Sequence, residues 1–154
     1  MLGFSEKTPL LYLALARIYV GYSFLTAGWS KWKSDFIGHG TLGTVLHDWM
    51  AGGKLPAWYR EFLVNQVTPH VTLFAWLTVL GEIGVGVSLM LGLGVRVGAF
   101  VGLILNLNFY FASGQSLNAL MAILQFGFLM SGAGRTVGLD GAIRNARGGR
   151  WVLG

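Results

Sequence analysis

From Leu10 to Trp29 the chain reads LLYLALARIYVGYSFLTAGW, apolar or aromatic at most positions, with one charge at Arg17. At about 1.5 Å of rise per residue, a helix of this length covers the roughly 30 Å of a bilayer's hydrocarbon, so the pattern predicts a membrane span over 10–29. Pro9 suits the first turn of that helix, where no backbone N–H is needed. Three more apolar runs follow: 71–91 after Pro69, 95–112 after the GLG turn at Gly92–Gly94, and 117–133, which runs into SGAGR. The last two are only about 17 or 18 residues long and are expected to stand nearly upright or to meet thinned lipid.

Residues 30–68, between the first two runs, do not read as a polar linker. Leu42, Val45, Leu46, Trp49 and Met50 recur at helical spacing. After the AGGK break, LPAWYREFLVNQVTP places Pro56 at a helix start and Trp58 and Phe62 one turn apart. Two short amphipathic helices over the outer mouth of a bundle are expected; a headgroup-belt role explains Trp49, Trp58 and Tyr59 equally well. The expected fold class is therefore all-α. It is an integral membrane four-helix bundle formed by a single domain over 1–154, with those short helices in the 30–68 loop and a tail at 134–154.

Composition agrees with a bilayer as solvent. The chain is 54% hydrophobic and 11% charged, with a mean hydropathy of +0.61, against roughly 45–50% apolar and 25% charged in soluble domains. The net charge of +5 does not point to nucleic acid, because the basic residues sit between apolar segments instead of on one polar face. They serve better as topology signals. Arg135, Arg144, Arg147 and Arg150 crowd the tail and Arg96 lies by the second turn, which predicts both termini on the cytoplasmic side. The head carries Lys7 beside Glu6 and no small-residue cleavage site follows, so the first run is expected to remain as an uncleaved helix. With no cysteine, the chain's own side chains cannot perform thiol–disulfide exchange or hold an iron–sulfur cluster, so any redox role needs a bound cofactor or another subunit.

Ionisable groups inside hydrocarbon are costly, which makes Arg17 and Glu82 the first candidates for a site. With both helices counted from level inner ends, Arg17 lies roughly 10 Å and Glu82 roughly 13 Å deep, so a salt bridge between antiparallel neighbours is available. Such a pair can fix helix register or take part in proton or cofactor chemistry; the residues alone leave both open. On the third run Gly94, Gly98, Gly102, Asn106 and Tyr110 form a ridge at four-residue spacing, a packing face that turns polar in its outer half. Asn106, Asn108, Gln125 and Tyr110 are candidates for the carbonyl oxygens of a membrane quinone, or else interhelical hydrogen-bond glue. Ala14, Gly21 and Gly28, seven apart on the first run, read as a packing stripe. His39, His47 and His70 all fall in or at the end of the loop, so bis-histidine haem is not expected and no metal site is predicted. No phosphate-binding or dinucleotide motif is present in a suitable context.

Three stretches together resemble the DoxX/DoxD-like family of four-helix membrane proteins: the first-run arginine with AGWSKW, GEIGVGVSLMLGLGVRVGA around Glu82 and Arg96, and GAGRTVGLDGAIR at the tail. The resemblance implies a prokaryotic cytoplasmic-membrane protein related to the subunits of thiosulfate:quinone oxidoreductase, in which thiosulfate is oxidised to tetrathionate and electrons pass to a membrane quinone. It implies a second oxidoreductase subunit, or a homo-oligomer, as partner besides the lipid bilayer. For that chemistry Lys31, Lys33 and Arg60 are the candidate contacts of the anion at the outer mouth. A non-catalytic membrane scaffold or assembly partner of an oxidoreductase is the alternative function, and a small transporter the third.

Overall fold

The computed structural model describes residues 8–34, 36–38, 40–52, 55–131, 133–136 and 138–146. His39, Lys54, Arg147 and Arg150 lie outside the described residues, as does the side chain of Arg135. Among the described residues there is no strand. The helices are α1 (Thr8–Lys33), α2 (Thr41–Ala51), α3 (Ala57–Phe62), α4 (Val71–Leu91), α5 (Val95–Ser113), α6 (Ser116–Met130), α7 (Ala133–Thr136) and α8 (Leu139–Ala146). α1 packs on α4, α4 on α5, α5 on α6, and α6 returns to α1. Two helical stretches, Ala57–Leu91 and Val95–Ser113, are long and apolar enough to cross a membrane, and α6 is apolar but shorter.

The link between α3 and α4 shows how Pro69 acts. Proline cannot donate to the helical ladder and crowds the preceding turn. The chain widens to a π-helical turn at Leu63–Val67 and tightens to a 3₁₀ turn at Thr68–His70, so the helix continues without a break. The Thr68 hydroxyl and backbone N–H both donate to the Leu63 carbonyl, which satisfies the widened turn.

Glycines set the register of α1 against α4. A Cβ built on Gly86 would stand 2.6 Å from the backbone nitrogen of Leu25, and one on Gly21 would stand 2.8 Å from that of Met90. One on Gly28 would stand 2.9 Å from Ile83 Cγ1. The two backbones touch through these positions, as small residues allow in membrane helix pairs. The pairing of 21 with 90, 25 with 86 and 28 with 83 carries α1 about a dozen residues, roughly 18 Å, past the end of α4. The start of α1 and the end of α4 are thus not level, and an Arg17–Glu82 pair does not form: Glu82 is bound by Lys31, while Arg17 lies against Gly92 and Gly138.

The turn into α5 is built on Gly92 and Gly94, both left-handed at φ 65 and 62, a conformation that costs a glycine little. Gly94 offers no side chain to cap the helix that follows. Asp140, on the remote α8, does so instead: Gly94 N–H donates to its Oδ1 at 2.9 Å and Val95 N–H to its Oδ2 at 3.0 Å. Asp140 N–H in turn donates to the Gly92 carbonyl at 2.8 Å.

Two buried clusters result. One joins α2 and α3 to the N-terminal half of α4 and the C-terminal end of α5 through Leu42, Leu46, Tyr59, Leu63, Val79 and Ala112. The other ties the opposite half of the bundle together through Val20, Phe24, Val85, Leu89, Ala99 and Phe128.

Candidate functional site

A cavity of about 690 Å³ lies between these clusters and is lined by members of both. Its walls come from α1 (Phe24, Ala27), α4 (Phe74, Leu77), α5 (Leu105, Phe109) and Met121 of α6; α2 and α3 roof it with Leu46, Trp49 and Tyr59. The volume falls in the roughly 300–1,000 Å³ of small-molecule sites, and the composition is typical of them, apolar walls with a few convergent polar groups. Leu77 and Ile104 line the cavity and are also 55% and 45% exposed on the outside of the helices, so its margin reaches the lateral apolar surface.

The polar groups occupy distinct places. On the floor, Lys31 Nζ donates to both oxygens of Glu82, at 2.7 and 2.8 Å, and lies 5.6 Å from the centre of the Phe109 ring. Glu82 is 2% exposed and Lys31 28%. Two of the three ammonium hydrogens face the carboxylate, which leaves one for a ligand. Beside them Asn106 Nδ2 donates to Gln125 Oε1 at 2.9 Å. Asn106 lines the cavity; Gln125 stands behind it, with its Nε2 packed on Gly102. At the roof, the Tyr59 hydroxyl donates to the backbone carbonyl of Asn108 at 3.1 Å and lies 3.2 Å from its Oδ1.

The structure therefore brings Glu82, Lys31, Asn106 and Asn108 to one cavity. It leaves Tyr110 38% exposed, away from the cavity lining. The three anion candidates do not converge. Lys31 is neutralised by Glu82, Lys33 lies 5.4 Å over the Trp29 ring, and Arg60 is exposed on α3 beside a separate, shallow depression. Among the described residues no group of three or more His, Asp or Glu is placed to hold a metal ion.

Arg17 belongs to a second polar centre at the other end of the bundle. It is fully buried, its Nη1 fills the space that a side chain at Gly92 or Gly138 would need, and it is in electrostatic contact with Asp140. Sequence reasoning missed Asp140. The signal was present, since a glycine ahead of α5 leaves helix N–H groups without a local acceptor, and Asp140 is the only acid after Glu82. For Tyr59 the sequence leaves a place over the mouth and a place in the headgroup belt equally open, because its partner Asn108 is on another helix.

No curated protein and no solved structure matches the chain. A family model described as DoxX matches residues 12–114. That segment runs from the first turns of α1 to the end of α5 and contains Lys31, Glu82, Tyr59, Asn106 and Asn108. With well over half of its length matched, and its apolar helices agreeing, the chain belongs to the DoxX family of membrane proteins.

Proposed function

We propose that this chain is a four-span inner-membrane subunit of a quinone-linked oxidoreductase of the thiosulfate:quinone type, and that the cavity is where the quinone binds. The observation that carries the reading is the cavity itself: apolar, large enough for a ring with the start of its tail, floored by Lys31–Glu82 and Asn106, and with a margin on the lateral surface. A lipid-soluble ligand enters such a site from the membrane without crossing water.

All four long helices cross in this reading. α1 turns Leu11, Leu15, Tyr19 and Tyr22 outward and α6 turns out Leu120, Ile123, Phe126 and Met130, faces suited to lipid. The 15 residues of α6 span only about 22 Å and call for thinned lipid around them. Both termini are cytoplasmic, which places the cavity in the outer half.

A quinone supplies two-electron, two-proton redox chemistry when bound. The chain's own residues bind and orient it: Lys31 donates its remaining N–H to a carbonyl oxygen, Asn106 offers its carboxamide, and the α2–α3 roof excludes water.

The test is purification into lipid nanodiscs with any co-purifying subunits, solvent extraction of quinone, and assay of thiosulfate-dependent quinone reduction. Extractable quinone that falls in Glu82→Leu protein, together with turnover, is the expected result. Intact partner binding with no quinone and no turnover would establish the scaffold function instead, and flux into proteoliposomes the transporter.

A further inference from the structure

We infer that Glu82 sets the charge specificity of the cavity: by neutralising Lys31 it restricts the site to uncharged ligands and turns away anions, thiosulfate included. This rests on the quinone reading of the cavity and deepens it, because the sulfur anion must then be oxidised on a different polypeptide.

Lys31 cannot serve as a free cation for an anion. Its ammonium is shared between both oxygens of a carboxylate that is itself 2% exposed, at 2.7 and 2.8 Å. Among the described residues the titratable groups on the cavity wall are Lys31, Glu82 and Tyr59, so within that set the pair leaves no positive charge over. Of the described basic residues singled out as anion contacts, Lys33 lies on Trp29 and Arg60 is exposed on α3.

An anion entering this cavity gives up its hydration and meets a neutral pair between apolar walls, an exchange that does not repay the desolvation of a charge. An uncharged carbonyl compound loses far less and gains the free N–H of Lys31. The division of labour follows. On the partner, two thiosulfate ions join through a new S–S bond and release two electrons; those electrons, with two protons from water, convert the quinone held here to the quinol. The partner's own site must be cationic.

The experiment is equilibrium binding to the purified chain in nanodiscs, with a short-chain ubiquinone and with radiolabelled thiosulfate as separate probes at constant ionic strength. Wild-type protein is expected to bind the ubiquinone, to retain no thiosulfate, and to show no displacement of one by the other. Glu82→Gln uncovers the Lys31 charge and should give saturable thiosulfate binding, half-occupied at a concentration at least about tenfold below the highest at which wild-type protein retains none, as an uncompensated charge in a poorly polar site requires. Thr78→Lys, which adds a second cation to the same wall and leaves the pair intact, should produce the same gain and serves if the first variant does not fold. In Lys31→Met/Glu82→Gln protein, with no charge on the floor, thiosulfate should again be excluded. Retention of thiosulfate by wild-type protein overturns the inference, as does an unchanged response in the folded charged variants. Failure of ubiquinone to bind wild-type protein overturns the quinone reading separately, since the thiosulfate arm is read without it.

Discussion

Lys31 and Glu82 are 51 positions apart and meet as a bidentate ion pair of unequal burial, the carboxylate 2% and the ammonium 28% exposed. Removal of one partner from a buried pair costs about 3–5 kcal/mol, because the other charge is left uncompensated in a poor solvent. The inequality decides which removal costs more. Lys31→Met strands the buried carboxylate and should lose an amount in that range, whereas Glu82→Gln leaves an ammonium that can reach water and should lose roughly 1–3 kcal/mol. Thermal or denaturant unfolding in micelles compares them, and an equal or reversed order would show that the burial asymmetry does not govern the pair.

Asp140→Ala should weaken the Arg17 end of the bundle without touching the cavity. It deletes the acceptors of the Gly94 and Val95 amides and also the carboxylate that faces the fully buried Arg17, so the loss should exceed a capping loss of about 0.5–2 kcal/mol and approach the roughly 3–5 kcal/mol of a broken buried pair. Hydrogen exchange read by mass spectrometry should speed up at 94–96, while peptides from α2 and α3 keep their protection. Uniform acceleration across the chain would contradict a local cap.

Two neighbouring glycines on α4 should behave in opposite ways. Gly86→Ala drives a methyl into the Leu25 backbone, and Gly84→Ala meets open space. The first should cost about 1–3 kcal/mol or separate α1 from α4. The second should be neutral or stabilise by roughly 0.5–1 kcal/mol through helix propensity. Melting temperatures of the two variants test this, and similar values would mean that the α1–α4 contact is not as close as described.

Tyr59→Phe should loosen the roof. Loss of the hydroxyl bond to Asn108 costs about 0.5–1.5 kcal/mol while the ring keeps its place against Phe62 and Phe111. A fluorescent quinone analogue should then leave faster, with the melting temperature lowered by only a few degrees. An unaltered off-rate would show that ligand exchange avoids the roof.

Local pattern was enough for some of this. The heptad-like stripe Gly21 and Gly28 marked the face of α1 that meets α4, since small residues signal close approach whatever the partner is. The spacing of Leu42 and Leu46 is realised in α2, where both are buried. Arg17 and Glu82 stood out as charges in apolar runs, and both are buried. Their partners were not legible. An expectation based on level helix ends paired them with each other, but the glycine contacts slide α1 along α4 and hand Glu82 to Lys31.

By itself, then, the sequence determined the solvent, the helical class and the family, because hydropathy and period are summed over many residues and tolerate local error. Tertiary structure alone decided the charge of the site. A shift of four residues in the α1–α4 register moves a side chain about 6 Å, more than the reach of a hydrogen bond. Whether Lys31 stands as a free cation at a mouth or as the neutralised floor of a cavity is therefore settled by backbone contacts at Gly21, Gly28 and Gly86.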